Sequence, residues 1–152
     1  MTSSVLAEWV VNLKYEDLPE EVVRAAVRTF YNWVGCALGG SNHLAATITR
    51  EAVVPFAGPG TSTVLGYRGA VRVDAEKAAL INGIASHVHD FDDTHLKTII
   101  HPAGPVCSAL LAYAEWKPLV SGKDFILAMV AGIEVACSLG LAVCPEHYDL
   151  GW

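Results

Sequence analysis

The chain has 152 residues, 53% of them hydrophobic and 17% charged, with a net charge of −6. One domain of this length buries roughly 70% of its unfolded surface, and the apolar share exceeds that of an average soluble domain, so much of the chain is interior or is covered by something else. Ten Lys plus Arg stand against sixteen Asp plus Glu with no basic run, which excludes a nucleic-acid-binding footprint and leaves an anionic ligand dependent on local cations.

The first predicted element is a short amphipathic helix, on which Val5, Leu6, Trp9, Val10 and Leu13 follow helical spacing. The first fifteen residues carry Glu8 and no basic segment ahead of an apolar run, which argues against a secretory signal peptide. Asp17-Leu18-Pro19-Glu20 then reads as a helix start, with Asp17 as N-cap and Pro19 near the first turn. The helix that follows carries a wide stripe: Val23, Ala26, Val27, Phe30, Trp33, Val34, Ala37 and Leu38. Gly39-Gly40 is expected to end it in a left-handed C-cap. A third helix is predicted from about His43 to Phe56, although its β-branched residues lose rotamer freedom there.

After the turn at Ala57-Gly58-Pro59-Gly60, Ser62–Tyr67 and Ala70–Val73 read as two short strands of a hairpin joined at Arg68-Gly69. Asp74 caps a helix from Ala75 whose stripe is Ala78, Ile81, Ile84, Ala85 and Val88. A further helix spans about Pro105 to Trp116, and a capping box at Ser121-Gly122-Lys123-Asp124 opens a long helix to about Val143. Phe125–Cys144 has bilayer-spanning length with one charge, Glu134. A central charge and the lack of aromatic anchors favour a helix buried on nearly all sides, so no membrane is expected. Cys36, Cys107, Cys137 and Cys144 show no paired or zinc-like spacing. Buried free thiols in a reducing compartment, cytoplasmic or mitochondrial, are expected.

Chemistry concentrates in His87-Val88-His89-Asp90-Phe91-Asp92-Asp93-Thr94-His95, followed by His101-Pro102-Ala103-Gly104. If the helix from Ala75 continues to about Thr94, Asp90 and Thr94 stack one turn apart, with His89 and Asp93 beside them. His101, held by Pro102, then joins a carboxylate and a hydroxyl around one small ligand. Imidazole suits proton transfer near neutral pH, and a neighbouring carboxylate can orient it. Lys97 offers further positive charge. The plainer alternative is local hydrogen bonding at a helix end.

Neither metal pattern is complete, and no metal is expected. His87-x-His89 and Asp92 miss the binuclear-zinc spacing by one position. His89-Asp90 resembles the HD phosphohydrolase dyad, for which only His43 and Asp124 are available as partners.

Ala78-Ala79-Leu80-Ile81-Asn82-Gly83, the His87–His95 segment and His101-Pro102-Ala103-Gly104 together resemble the MmgE/PrpD family, which includes 2-methylcitrate dehydratase and cis-aconitate decarboxylase. The helix pair ending in Gly39-Gly40, Val64-Leu65-Gly66-Tyr67, and Gly132-Ile133-Glu134-Val135 follow in the family's order, so the resemblance covers essentially the whole chain. Its specific part is D-F-D-D-T with the following H-P.

The resemblance implies a mainly α fold, part of the family's all-helical large domain, with one short β-hairpin. Residues 1–152 would be its N-terminal portion, the remainder and a smaller α/β domain being absent. It implies a cofactor-free lyase or isomerase acting on small polycarboxylates, homodimeric at full length. The family's active-site Asp, Thr and His fall on Asp90, Thr94 and His101. In decarboxylase-like members these groups bind carboxylates and support protonation of a carbanion-like carbon. In dehydratases they serve proton removal and departure of water. Asp92 favours the decarboxylase-like branch, since dehydratases often carry Asn there. The family's second active-site histidine and later lysine are not matched, so a fragment inactive and poorly soluble on its own is expected. The rivals are a non-catalytic helical interaction module and a metal-dependent HD-type phosphohydrolase.

Overall fold

A computed structural model describes residues 3–67 and 71–151. The helices are α1 (Ser3–Asn12), α2 (Glu20–Gly40), α3 (Leu44–Val53), α4 (Ala75–His87), α5 (Ala103–Trp116), α6 (Gly122–Val143) and the short α7 (Glu146–Asp149). A two-stranded antiparallel ladder pairs β1 (Ser62–Thr63) with β2 (Arg72–Val73), in the register Ser62↔Val73 and Thr63↔Arg72. The mainly α fold with one β-hairpin is therefore observed. The strands are shorter than predicted, and the joining residues 68–70 lie outside the described residues.

α4 is the centre of the fold, packing chiefly on α5 and α2. It buries Ala78, Ile81, Asn82, Ala85 and Ser86, so its inner face is mostly small. Small side chains let helices approach closely, and Gly40 shows how far this goes. A Cβ there would lie 2.0 Å from the Ala85 carbonyl oxygen and 2.5 Å from Val88 Cγ2. The predicted left-handed stop at Gly39-Gly40 is thus corrected: α2 runs through Gly40, and the C-cap, Ser41, is right-handed. Gly40 serves the α2–α4 contact. Gly40→Ala is expected to cost about 1–3 kcal/mol through overpacking, read as a lower urea midpoint.

Asn82 ties the hairpin to α4. Its side-chain oxygen accepts from Leu65 N–H at 2.9 Å, and its Nδ2 donates to the Thr63 carbonyl at 2.9 Å. Glu115 holds the same strand from α5, accepting from Thr63 N–H at 2.5 Å and from Thr63 Oγ1 at 2.7 Å. A second cluster joins α2, α5 and α6 through buried Ala26, Trp33, Ala103, Cys107, Met129 and Val130.

Several local expectations change. Asp17 does not cap α2; it closes a 3-10 turn and accepts from Lys14 N–H at 3.0 Å, while Pro19 precedes the helix. The third helix ends at Val53, and Val54–Phe56 tightens to a 3-10 turn around Pro55. α5 starts at Ala103, ahead of the predicted Pro105. The Ser121–Asp124 capping box forms as predicted. α1 buries no residue; its Leu6 and Trp9, and Leu13 just beyond it, are only half-buried.

α6 is not enclosed. Only Met129, Val130 and Gly140 are buried, and Glu134 is exposed. The reason is architectural: α2 and α5 supply most of its packing among the described residues, and they leave most of α6 half-buried or exposed. Among the described residues it is also the one helix long and apolar enough to cross a membrane.

Candidate active site

α4 stops at His87, which corrects the expected continuation to Thr94. The chain then turns sharply, with Asp90 N–H donating to the His87 carbonyl at 2.9 Å and Asp90 at φ 56°. That left-handed conformation is uncommon for a residue with a Cβ, although Asp tolerates it better than most. It replaces the predicted i,i+4 stacking of Asp90 on Thr94. A small turn closed by the His95–Ile100 bridge then returns the chain to His101. Thr98 in this turn packs against Gly140, where a Cβ would meet Thr98 Cγ2 at 3.1 Å. α6 therefore backs the loop.

Asp90 and Thr94 both approach the imidazole of His101. Asp90 Oδ1 lies 3.6 Å from His101 Nε2, and Thr94 Oγ1 lies 3.5 Å from His101 Nδ1. His101 is mostly covered, with its side chain 23% exposed, whereas Asp90 is 76% exposed.

Two further residues complete the cluster, and the spacing pattern did not single them out for this site. Asp92, with its side chain 1% exposed, places its carboxylate oxygens 3.1 and 3.0 Å from His87 Nδ1. Its Oδ1 is also 3.6 Å from His101 Nδ1, and the two imidazole rings lie 4.8 Å apart. A buried carboxylate is stable only when paired, so Asp92 sits between two imidazoles. In the sequence Asp92 stands out only in the incomplete zinc spacing and in the family comparison, and neither signals that its carboxylate is buried.

Asp93 and His89 do not form the predicted pair. Asp93 accepts from Ala103 N–H at 3.1 and 3.2 Å and so caps α5. The His89 ring meets those of His43 and Phe91 edge-on or tilted, at 5.5 and 6.4 Å. Lys97 is exposed on the turn.

Burial pushes the Asp93 carboxyl above its ordinary value of 3.8; the Ala103 N–H opposes this, and the neighbouring Asp92 charge adds to it. A raised folded value means that ionisation penalises the fold. The penalty is absent below the unfolded value and complete above the folded one. Asp93→Asn keeps an oxygen for Ala103, so it is expected to be more stable than the parent at neutral pH. Urea midpoints followed into acid should converge as the parent's carboxyl becomes protonated.

The expectation of buried thiols holds fully only for Cys107; Cys36, Cys137 and Cys144 are half-buried, and all four are free. Burial pushes the Cys107 thiol up to about 12.

His87, Asp92 and His101 form one wall of an open cavity of about 570 Å³, and Leu80, Ile84 and Ile100 form part of the apolar remainder. This is within the size range of small-molecule sites. Among the described residues, His87, Asp90, Asp92 and His101 are also the group able to offer ligand atoms to a metal, all within 4.8 Å of one another. The other HD-type candidates are committed elsewhere: His43 Nδ1 accepts from Ala45 N–H at 3.2 Å, and Asp124 closes the α6 capping box.

A helical domain that gathers acid, hydroxyl and imidazole groups on the loop between two central helices matches a known class. The sequence model of the MmgE/PrpD N-terminal domain matches residues 4–152, and the chain belongs to the MmgE/PrpD family. It is 31% identical to the cis-aconitate decarboxylase-like protein oryM of Aspergillus oryzae, over 97% of this chain and 32% of that relative. It is 35% identical to the human cis-aconitate decarboxylase over 81% of this chain and 26% of the relative. Identity to an Aspergillus terreus cis-aconitate decarboxylase is 28%, over 99% of this chain and 31% of the relative. The chain spans about a third of the length of these curated relatives.

Proposed function

We propose that this chain supplies the proton-handling part of a cofactor-independent lyase that acts on small polycarboxylates, in the manner of cis-aconitate decarboxylase. The observation that carries the reading is the convergence of Asp90 and Thr94 on opposite nitrogens of His101, at 3.6 and 3.5 Å. Membership of a family with decarboxylase relatives supports it.

Decarboxylation breaks a C–C bond and releases CO₂. The electron pair left behind is delocalised into the adjacent double bond and quenched by one proton at carbon. His101, as imidazolium, is the donor of that proton. Asp90 faces its Nε2 and holds the proton there, and the Thr94 hydroxyl steadies Nδ1. One such general acid contributes about 10²–10⁴-fold.

Three carboxylates, Asp90, Asp92 and Asp93, stand near this imidazole, and no Lys or Arg lines the cavity among the described residues. A polycarboxylate needs cations beyond the histidines. In this reading they come from outside the cluster, so the 152-residue chain alone is expected to be inactive.

The test is CO₂ release from cis-aconitate by this chain and by any longer product of the same reading frame, with a known decarboxylase as control. Release by the longer product only is the expected result. Silence from both, beside an active control, removes the reading.

A further inference from the structure

We propose that Asp92 is a positioning residue for the His87–His101 imidazole pair. It holds Nδ1–H of each ring inward and leaves Nε2 of His101 as the nitrogen that exchanges protons. The inference rests on the lyase reading only for the use made of that nitrogen; the positioning itself follows from geometry.

Asp92 lies on the loop, yet its carboxylate is almost wholly covered, with its side chain 1% exposed. Both oxygens are within hydrogen-bond distance of His87 Nδ1, at 3.0 and 3.1 Å. An ionised carboxylate only accepts, so His87 must carry its proton on Nδ1. At 3.6 Å the approach of Asp92 Oδ1 to His101 Nδ1 is a charge contact rather than a hydrogen bond. Asp90 stands at the same 3.6 Å from Nε2, but it is 76% exposed and screened by water, so the covered Asp92 contact sets the tautomer. A bare lone pair on Nδ1 would face the carboxylate across a covered gap, where Coulomb repulsion is poorly screened. A proton on Nδ1 turns repulsion into attraction. The Thr94 hydroxyl, 3.5 Å from the same nitrogen, can accept as well and does not oppose this arrangement. With Nδ1 protonated, Nε2 is the free position, and it is the nitrogen that faces exposed Asp90. A carboxylate that fixes the tautomer of a working histidine in this way is a known catalytic arrangement.

The groups that bear on Asp92 come from each surrounding element. α4 contributes His87, the loop contributes Asp93 and His101, and α2 contributes the Cys36 thiol, which feels the Asp92 charge. The N-terminus of α5 approaches from the other side, a Cβ on Gly104 falling 3.8 Å from Asp92 Oδ2. The imidazoles are the hydrogen-bonding and ion-pairing partners found for the Asp92 side chain among the described residues.

The experiment is long-range ¹H–¹⁵N correlation spectroscopy of the ¹⁵N-histidine-labelled 152-residue chain, at a pH high enough for neutral imidazole. The Nδ1–H pattern is expected for His87 and His101, against the Nε2–H form that free imidazole favours. In Asp92→Ala both rings are expected to invert to Nε2–H. Asp92→Asn separates the two effects: its amide oxygen can still accept from His87, so His87 keeps Nδ1–H, while His101 loses the charge and inverts. Circular dichroism checks the fold of each variant. Should Asp92→Ala unfold, Asp92→Asn and the parent spectrum carry the test. Nε2–H as the main form of both rings in the parent, or a His101 pattern unmoved in either folded variant, overturns the proposal. The readout needs no substrate. A protein that shows the inversion but never releases CO₂ from cis-aconitate loses the lyase reading and keeps the role of Asp92.

Discussion

Replacing His101 with glutamine is expected to lower CO₂ release by about 10²–10⁴-fold in any preparation that decarboxylates cis-aconitate. Glutamine preserves polarity and approximate reach but cannot carry a proton at neutral pH. His101 is the point on which Asp90 and Thr94 converge, and its nitrogens face a carboxylate on each side. Removing it therefore removes the proposed donor and leaves Asp90 and Asp92 facing each other without an intervening imidazole. The loss should fall on kcat. KM should move less, because the cations that hold the substrate's carboxylates lie outside this cluster in the proposed reading. A variant that retains full kcat would remove His101 from the chemistry. Asp90→Asn provides the companion measurement, since it keeps the shape of the turn and removes only the charge that faces Nε2.

The second large effect is on stability. Trp33→Ala should destabilise the chain by about 3–5 kcal/mol, a large part of the roughly 5–15 kcal/mol available to a typical domain. Trp33 is fully buried and stacks on Phe30 with ring centroids 5.6 Å apart. Phe30 in turn meets Phe125 of α6 edge-to-face at 4.9 Å. The indole thus links α2 to the cluster that joins α5 and α6. Trp33→Phe should be far milder. Among the described residues, Trp33 Nε1 is the buried side-chain nitrogen without a hydrogen-bond partner. An unsatisfied buried donor costs about 1–3 kcal/mol, and phenylalanine has no such donor. Urea midpoints of the two variants decide this: a loss in Trp33→Phe as large as that in Trp33→Ala would overturn the expectation.

Much of this fold is legible locally. A helix cap is completed within three or four residues, so Asp74 accepting from Lys77 N–H, and Ser121 paired with Asp124, follow from adjacent letters. The stripe on α2 marks Ala26, Trp33 and Ala37 as inward, because helical periodicity is a property of the segment itself. Its outer members Val27 and Leu38 are exposed, since the stripe is wider than the partner that covers it. The same limit explains α6. Its composition announces burial on all sides, but burial needs neighbours, and among the described residues these cover the helix only in part.

The site divides in the same way. Asp90, Thr94 and His101 can be picked out from the density of ionisable residues and from the family resemblance, because they are close in sequence. A continued helix was the natural extrapolation from the stripe of α4. Two features override it. Asp93 caps α5 through Ala103, and Asn32 of α2 donates to the Phe91 carbonyl at 3.3 Å. Both bind the loop to elements outside its own run of sequence.

The sequence by itself therefore determined the helical class, the family and the segment in which the ionisable residues gather, since periodicity, capping and motif spacing are all short-range properties. Only the tertiary structure decided that Asp92 is buried between His87 and His101 while Asp93 is half-buried and Asp90 exposed. It also decided that Gly40 is a contact point rather than a helix stop. Burial and close approach depend on which distant segments meet, and no local pattern of residues encodes that meeting.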